Sequence, residues 1–585
     1  MPSLSPAGII AHPNTDLTTF SVKVNGEPLP GTYGIVTLDI SRAINRVPIA
    51  SVVLLDGDAA DQNFEISSDG ELVPGNDIEI EGGYSGNVST LFRGVITQQR
   101  IRIRRRGESL LYIEAQDPVF RMTLDRKSKY FFEMTDDSLF SEIAGQYSDV
   151  RPDIESTAIT HPEIVQYQVS DWDFIVARAE KLGMVCVAQD GTLAIKKPDL
   201  AQAPVLTVAY GTGLLDLDLE LDSRTQFQAV TASAWDQANQ EVISVDIDDV
   251  SAPDQGNQDG AELARVGEVE NYELRHTGGL KQEELDAWAE AQMTKSRFSK
   301  IRGTVRVQGS ETLTPGVVIE LGGLGDRFNG TAYVSGIRHF LGEGNWVTTV
   351  QVGLDPRWHY ENFPVTPPSA SGFSPGINGL QIGVVTQIHE DPDGEDRIQV
   401  RLPIINPDEV GIWARLATLD AGNERGTVFR PEVDDEVVVG FLNDDPHDPV
   451  VLGILHSSNK PSPIPATEDN HEKGFVTRSG MKLLFNDDHP SITIETPNGN
   501  KMVINDEEGH IVLEDESGNS VKMDSSGIIF GSPRDVTLKA TGDLTLEGVN
   551  VNLKASAAFK AEGSAGASLE SSGTTTVRGS LVNIN

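Results

Sequence analysis

Over the last fifty residues, apolar positions recur in pairs on a beat of seven or eight. One set is Val536, Leu544, Val551, Phe559, Ala567, Thr575 and Val582; a second, two residues on, is Leu538, Leu546, Leu553, Ala561, Leu569, Val577 and Ile584. A charge follows the second set at Lys539, Glu547, Lys554, Glu562, Glu570 and Arg578. Glycines 542, 548, 563, 573 and 579 mark unit ends. Residues two apart share one strand face, so each unit predicts a short strand with two inward side chains, an outward charge and a Gly or Ser corner. Two small apolar side chains per eight residues bury too little within one chain to offset ordering of the backbone. A single-chain β-helix takes about 20 residues per coil to make three faces. This beat supplies one face, and three chains winding together supply all three. Stacked at about 4.8 Å per strand, the seven units make a prism roughly 34 Å long. Its expected trimer core is Val536, Leu538, Leu544, Leu546, Val551, Leu553, Phe559, Leu569, Val577, Val582 and Ile584.

The same logic, with longer hairpin-like units, extends upstream over 474–530. Ser491-Ile492-Thr493-Ile494-Glu495, His510-Ile511-Val512-Leu513-Glu514 and Ser520-Val521-Lys522-Met523-Asp524 alternate cleanly between turns at Pro497–Asn500 and Glu516–Asn519. Before it, five short strands are expected, at Leu380–Val385, Asp396–Pro403, Ile412–Ala417, Asp435–Leu442 and Pro449–Gly453. Five strands in about 75 residues is the count of an OB-type barrel. This one lacks the basic, aromatic face on which nucleobases stack, so it reads as structural.

The first 360 residues alternate strands with helices. Strands are expected at Phe20–Val24, Asp77–Glu81 and Gln99–Arg105. Ser170 is placed to cap a helix from Asp171 to Leu182 that Gly183 stops. Thr135-Asp136-Asp137 opens a second helix running to Gln146, and Lys281–Arg297 reads as the third. The resulting division is 1–363 strands with helical insertions, 364–378 linker, 379–456 barrel, 457–473 linker and 474–585 trimeric β-helix. The fold class is mainly β.

Charge narrows the function classes. The chain has 585 residues and a net charge of −42, which repels nucleic acid phosphates and anionic lipid surfaces alike. Arg100, Arg102 and Arg104 to Arg106 form the one strong basic cluster, a solvated strand face or a docking surface for an acidic ring partner. The single cysteine, Cys186, sits between Val185 and Val187 and reads as packing. His447, between two acids in a turn, has no second ligand nearby and carries no metal reading. The start, Met1 to Pro6, lacks a basic segment followed by an apolar run, so synthesis in the bacterial cytoplasm without a Sec signal is expected. No HExxH, P-loop or GxSxG pattern stands in a supporting context, and no enzyme activity, cofactor or metal is expected.

Specific stretches resemble a known family. Pro431-Glu432-Val433-Asp434-Asp435-Glu436-Val437, continuing through Asn443-Asp444-Asp445-Pro446-His447-Asp448-Pro449-Val450 to Gly453, resembles the barrel of VgrG-type spike proteins. Val165-Gln166-Tyr167 with Ser170–Ile175, Glu180, Leu182 and Gly183 resembles their hub, as do Leu313–Val317, Phe328-Asn329-Gly330 and Tyr333-Val334. The resemblance implies an α+β hub with two barrel-like domains and a C-terminal intertwined trimeric β-helix, or β-prism. It further implies a homotrimer whose hub meets an inner tube ring and baseplate proteins, with effector cargo among its partners and the target-cell envelope before it. Only a short linker, 456–470, separates barrel from needle, with no room for the lysozyme domain of some phage needles. A PAAR-type tip protein is expected against Val582, Asn583, Ile584 and Asn585. Mechanical piercing by an injection particle is thus the leading reading, closer in the hub to extracellular phage-tail-like particles than to type VI secretion. A contractile phage hub-needle is the alternative. A polysaccharide-cleaving tailspike fits less well: the prism has no Trp or Tyr, and its acids project outward at intervals.

Overall fold

The computed structural model describes residues 17–104 and 108–584, which divide into two compact bodies at Gly376/Ile377. In the first, a thirteen-stranded sheet carries two separate apolar cores. Its path runs Leu214–Leu221, Ile301–Gln308, Asn345–Val352, Gly330–Gly342, Ile35–Ala43, Ile49–Leu55, Ser109–Gln116, Asn87–Ile103, Asp77–Tyr84, Thr18–Val24 and Glu27–Pro28. Leu206–Ala209 and Val318–Gly322 pair beside it. Period-two alternation explains the burial: Leu38 and Ile40, Val52 and Leu54, and Ile78 and Ile80 all point into the first core. Val305, Val307, Ile319, Leu321 and Val334 fill the second. One strand serves both, since Gly330–Tyr333 pairs with Val318–Leu321 while Gly336–Gly342 pairs with Thr37–Ala43.

Two α+β insertions pack their own cores. In the first, Asp171–Lys181 lays Trp172, Ile175, Val176 and Ala179 against Phe140, Ile143 and Leu193. Ser170 caps it, its Oγ accepting from Asp173 N at 3.1 Å, and Gly183 ends it at φ 71°. The Thr135 opening leads into Asp136–Ala144 without a side-chain cap. In the second insertion Gln282–Phe298 buries Leu285, Ala289 and Met293 on Val230, Ala232 and Leu274. Three one-turn helices, Glu65–Ser68, Gly260–Ala264 and His359–Asn362, carry too little periodicity to be read from sequence.

A buried polar knot joins these parts. Lys295 Nζ lies 2.8 Å from Glu180 Oε1 and donates to the Arg357 carbonyl at 3.1 Å. Glu180 also accepts from Asn45 Nδ2 at 3.1 Å and from His359 N at 2.7 Å. Both carboxylate oxygens of Glu180 thereby have donors in place of the water that burial strips away. Cys186 is fully buried in Val185–Gln189, and burial pushes its thiol pKa up, so it is packing.

In the second body, Gln381–Gln387, Ile398–Arg401, Ile412–Leu416, Pro449–Ile454 and Glu436–Phe441 close a five-stranded barrel in that order. Val385, Ile398, Val400, Ala414, Val437, Val439 and Val451 fill it. His447 Nδ1 sits 2.9 Å from Asp445 Oδ1 in an exposed turn. A seven-stranded antiparallel meander follows, from Glu472–Val476 to Gly527–Gly531.

Candidate functional site

The meander is a single layer built from a nineteen-residue hairpin repeat. Along one edge the turns 477–481, 496–500 and 515–519 match: Gly480, Gly499 and Gly518 adopt φ of 84°, 90° and 83°. Their amides donate to Thr477, Thr496 and Asp515 carbonyls at 2.9 to 3.0 Å. Along the other edge Asn486, Asn505 and Asp524 occupy equivalent places, each side-chain oxygen accepting a turn amide at 2.8 to 3.0 Å. Identical turns fix identical register, so side chains stack in rows.

Two rows share one face. The first runs Phe475, Leu483, Ile494, Met502, Leu513, Val521 and Phe530 across the seven strands. The second runs Lys473, Phe485, Ile492, Ile504, Ile511, Met523 and Ile528. Thirteen of these fourteen positions are apolar, yet no second layer covers them among the described residues, and Phe475, Phe485, Ile492, Ile494, Leu513, Ile528 and Phe530 stand exposed. The opposite face is mixed: Lys482 lies 3.3 Å from Glu495 and Lys501 3.2 Å from Glu514 at its margins, while Leu484, Val503, Val512 and Ile529 stand among Thr493 and Lys522 in its middle row. Phe429, from the chain between barrel strands, stacks on Phe475 at 5.4 Å, and Arg478 meets Glu432 at 2.8 Å. The barrel thus caps the first strand of the face and leaves the rest open.

The eight-residue units continue this pairing rule. Ile528 and Phe530 are followed by Val536 and Leu538, then by Leu544 and Leu546, with no change of phase. The short strands expected in these units are not formed within the single chain. Among the described residues, 532–584 contains no strand or helix and closes no backbone hydrogen bond on itself. All the expected core residues from Val536 to Ile584 are exposed, Val551 at 54% and Leu569 at 79%. The physical reason is the one the beat implies: a strand of this length has no hydrogen-bonding neighbour in its own chain. Asn585 lies outside the described residues. Sequence reading found the alternation in 491–495, 510–514 and 520–524 but did not join it into two rows across seven strands; the signal is the second and fourth positions of each five-residue strand, apolar at all but Lys473.

The basic cluster lies in the first body. Arg100 and Arg102 are on Asn87–Ile103 and Arg104 follows it, with the Arg100 guanidinium 4.6 Å over the Tyr112 ring. Arg105 and Arg106 lie outside the described residues.

Comparison with known proteins matches three modules in order. Residues 14–343, more than half of the chain, match the Alg8 N-terminal domain. Residues 381–456 match the type VI secretion system/phage-baseplate injector OB domain, and 491–585 the phage baseplate V C-terminal trimerisation domain. Among curated proteins, the Pseudomonas aeruginosa type VI secretion system spike protein VgrG5 is 32% identical over 139 residues, 21% of this chain and 18% of that protein. VgrG4b of the same organism is 34% identical over 119 residues, 19% of this chain and 14% of that protein. The chain thus matches less than a fifth of the length of these relatives. Among solved structures, a prophage MuSo2 tail protein from Shewanella oneidensis aligns over 58% of this chain and 98% of its own, with 10% identity and a TM-score of 0.45. An E. coli component of the type VI secretion system aligns over 74% and 99%, with 14% identity and a TM-score of 0.36. An Alg8 N-terminal domain, an injector OB domain and a baseplate trimerisation domain therefore stand in order in one polypeptide, and the chain belongs to the Alg8 N-terminal domain family.

Proposed function

We propose that the chain is the trimeric central hub and spike of a contractile injection system, joining the inner tube and baseplate to a tip and piercing the target envelope mechanically. The observation that carries this is the uncovered apolar face of 473–530, continued in phase to Ile584. Three copies facing a common axis would bury it, with Val536, Leu538, Leu544, Leu546, Val551, Leu553, Phe559, Leu569, Val577, Val582 and Ile584 as the core of the needle. The match to a trimerisation domain over 491–585 supports the same reading. Backbone hydrogen bonds running along the prism axis would carry compressive load, and the outward charges from Lys539 to Arg578 would let the needle withdraw from lipid.

The role is mechanical rather than enzymatic. A PAAR-type tip would meet Val582 to Asn585, and the hub would meet the tube ring and baseplate. The chain would be made in the cytoplasm and leave it within the assembled particle. The test is purification of the full chain and measurement of its mass, expected at three times 63.2 kDa. Immunogold labelling of contractile particles should then mark one end. A monomer at micromolar concentration, or label along the sheath, overturns the reading.

A further inference from the structure

Two strand edges of the hub carry complementary alternation. Asn87–Ile103 outruns its neighbour: pairing with Asp77–Tyr84 starts at Val95, and beyond Ile96 no strand lies on that side among the described residues. The open stretch reads Arg100-Ile101-Arg102-Ile103-Arg104. At the far end of the same sheet, Leu214–Leu221 pairs, among the described residues, with Ile301–Gln308 alone, and its open edge reads Asp216-Leu217-Asp218-Leu219-Glu220.

Each edge by itself has an ordinary explanation, since charged side chains on an open edge discourage unwanted pairing. Three observations go further. The two edges carry opposite charge at the same spacing, with apolar residues between, in a chain whose net charge is −42. Among the described residues, Arg100, Arg102 and Arg104 make no ion pair and neither do Asp216 and Asp218, while Glu220 meets Arg302 at 2.9 Å. Ile101 and Ile103 are 50% and 67% exposed, which a merely protective edge has no reason to leave open.

We propose that the arginine edge of one copy adds as a strand to the acidic edge of the next, closing the hub into a ring. Laid side by side in phase, the edges put arginines beside carboxylates on one face and isoleucines beside leucines on the other. Because both patterns read the same in either direction, this holds for parallel and antiparallel pairing. A one-residue slip sets charge against aliphatic and is rejected. Within one copy the edges lie seven strand positions apart, ~34 Å along the sheet, and do not pair. The contact is heterologous, a different surface on each side; such contacts between identical chains close into a cyclic ring where the rotation between neighbours permits and run on as filaments where it does not, and the trimer of the needle selects the ring. The partner is thus a second copy of this chain. The inference rests on the trimeric reading above and adds that the hub, independently of the needle, has its own interface.

The test uses the full chain, with mass and amide hydrogen exchange measured together. In the trimer, amides of 100–103 and 215–219 should exchange about tenfold or more slowly than open strand edges. The triple variant Arg100→Glu/Arg102→Glu/Arg104→Glu should release protection at both strands while the needle keeps the mass trimeric. Asp216→Arg/Asp218→Arg should do the same, leaving Glu220 with Arg302. Combining the two sets should restore protection at both. Fast exchange at both edges of a wild-type trimer, an effect confined to the mutated strand, or failure of the combined variant to recover overturns the proposal. Should the reversals impair folding, Arg102→Lys allows zero-length carbodiimide coupling in trimers mixed from isotopically distinct copies. An interchain link from residue 102 to Asp216 or Asp218 is expected, and its absence refutes the pairing. A monomeric wild-type chain refutes the trimeric reading, and this inference falls with it.

Discussion

Replacing Ile494 by alanine distinguishes a solvated face from a covered one. Ile494 lies in the middle of the first apolar row, between Leu483 and Met502, and keeps 48% of its surface open in the single chain. Fully burying such a side chain stabilises by ~1.5–3 kcal/mol, so closing three copies over the open half adds ~0.7–1.5 kcal/mol per copy. Alanine retains roughly a third of that, which leaves a loss of ~0.5–1 kcal/mol per copy and ~1.5–3 kcal/mol per trimer. The trimer assembly constant should fall ~10- to 100-fold, and more if a cavity persists. Sedimentation equilibrium of dilution series at fixed urea measures this directly. Thr493→Ala, one residue away on the opposite face, is the control and should leave the constant unchanged. Equal assembly of Ile494→Ala and wild type, or a loss confined to Thr493→Ala, would refute the argument from the rows.

Three further outcomes are expected. Glu180→Gln leaves the Lys295 ammonium, itself buried, without its counter-charge, and breaking such a pair costs ~3–5 kcal/mol. Calorimetry should show the hub transition lowered and the needle transition unmoved. His339 is fully enclosed beside Thr348, at 2.8 Å, and Trp346; burial and then the Arg42 charge push its pKa down to about 3 from 6.5. The folded hub therefore favours the neutral ring, and this contribution to stability is complete above about pH 6.5. It is lost as pH falls toward about 3, and denaturant titrations across that window should show a slope that His339→Gln removes. Gly303 sits at φ 147°, where an added Cβ would lie 2.0 Å from the Asp218 carbonyl oxygen. Gly303→Ala should free Leu214–Leu221 from the sheet, seen as faster amide exchange in that strand with the first core still protected.

Local signals in this chain are strong where structure is local. The barrel strand expected at Asp435–Leu442 forms at Glu436–Phe441, and that expected at Ile412–Ala417 forms at Ile412–Leu416, because alternation and turn residues each act within a few positions. The Ser170 cap and Gly183 stop were legible for the same reason. The nineteen-residue repeat was not, since its strands share a pattern rather than residues: only Gly480, Gly499 and Gly518 recur at their edge, and Thr477 and Thr496 give way to Asp515.

By itself the sequence determined the alternation, the caps and the double apolar register from 536 to 584, because each depends on neighbours along the chain and on the geometry of one strand. Tertiary structure decided what distance along the chain conceals. It brought Gly330–Gly342 between two cores as a shared strand, and it aligned seven short strands so that their second and fourth positions became one uncovered face. It also left Arg100–Arg104 and Asp216–Glu220 on open edges of one sheet. Which edge stays unpaired depends on where a neighbouring strand stops, and no residue within the edge itself encodes that.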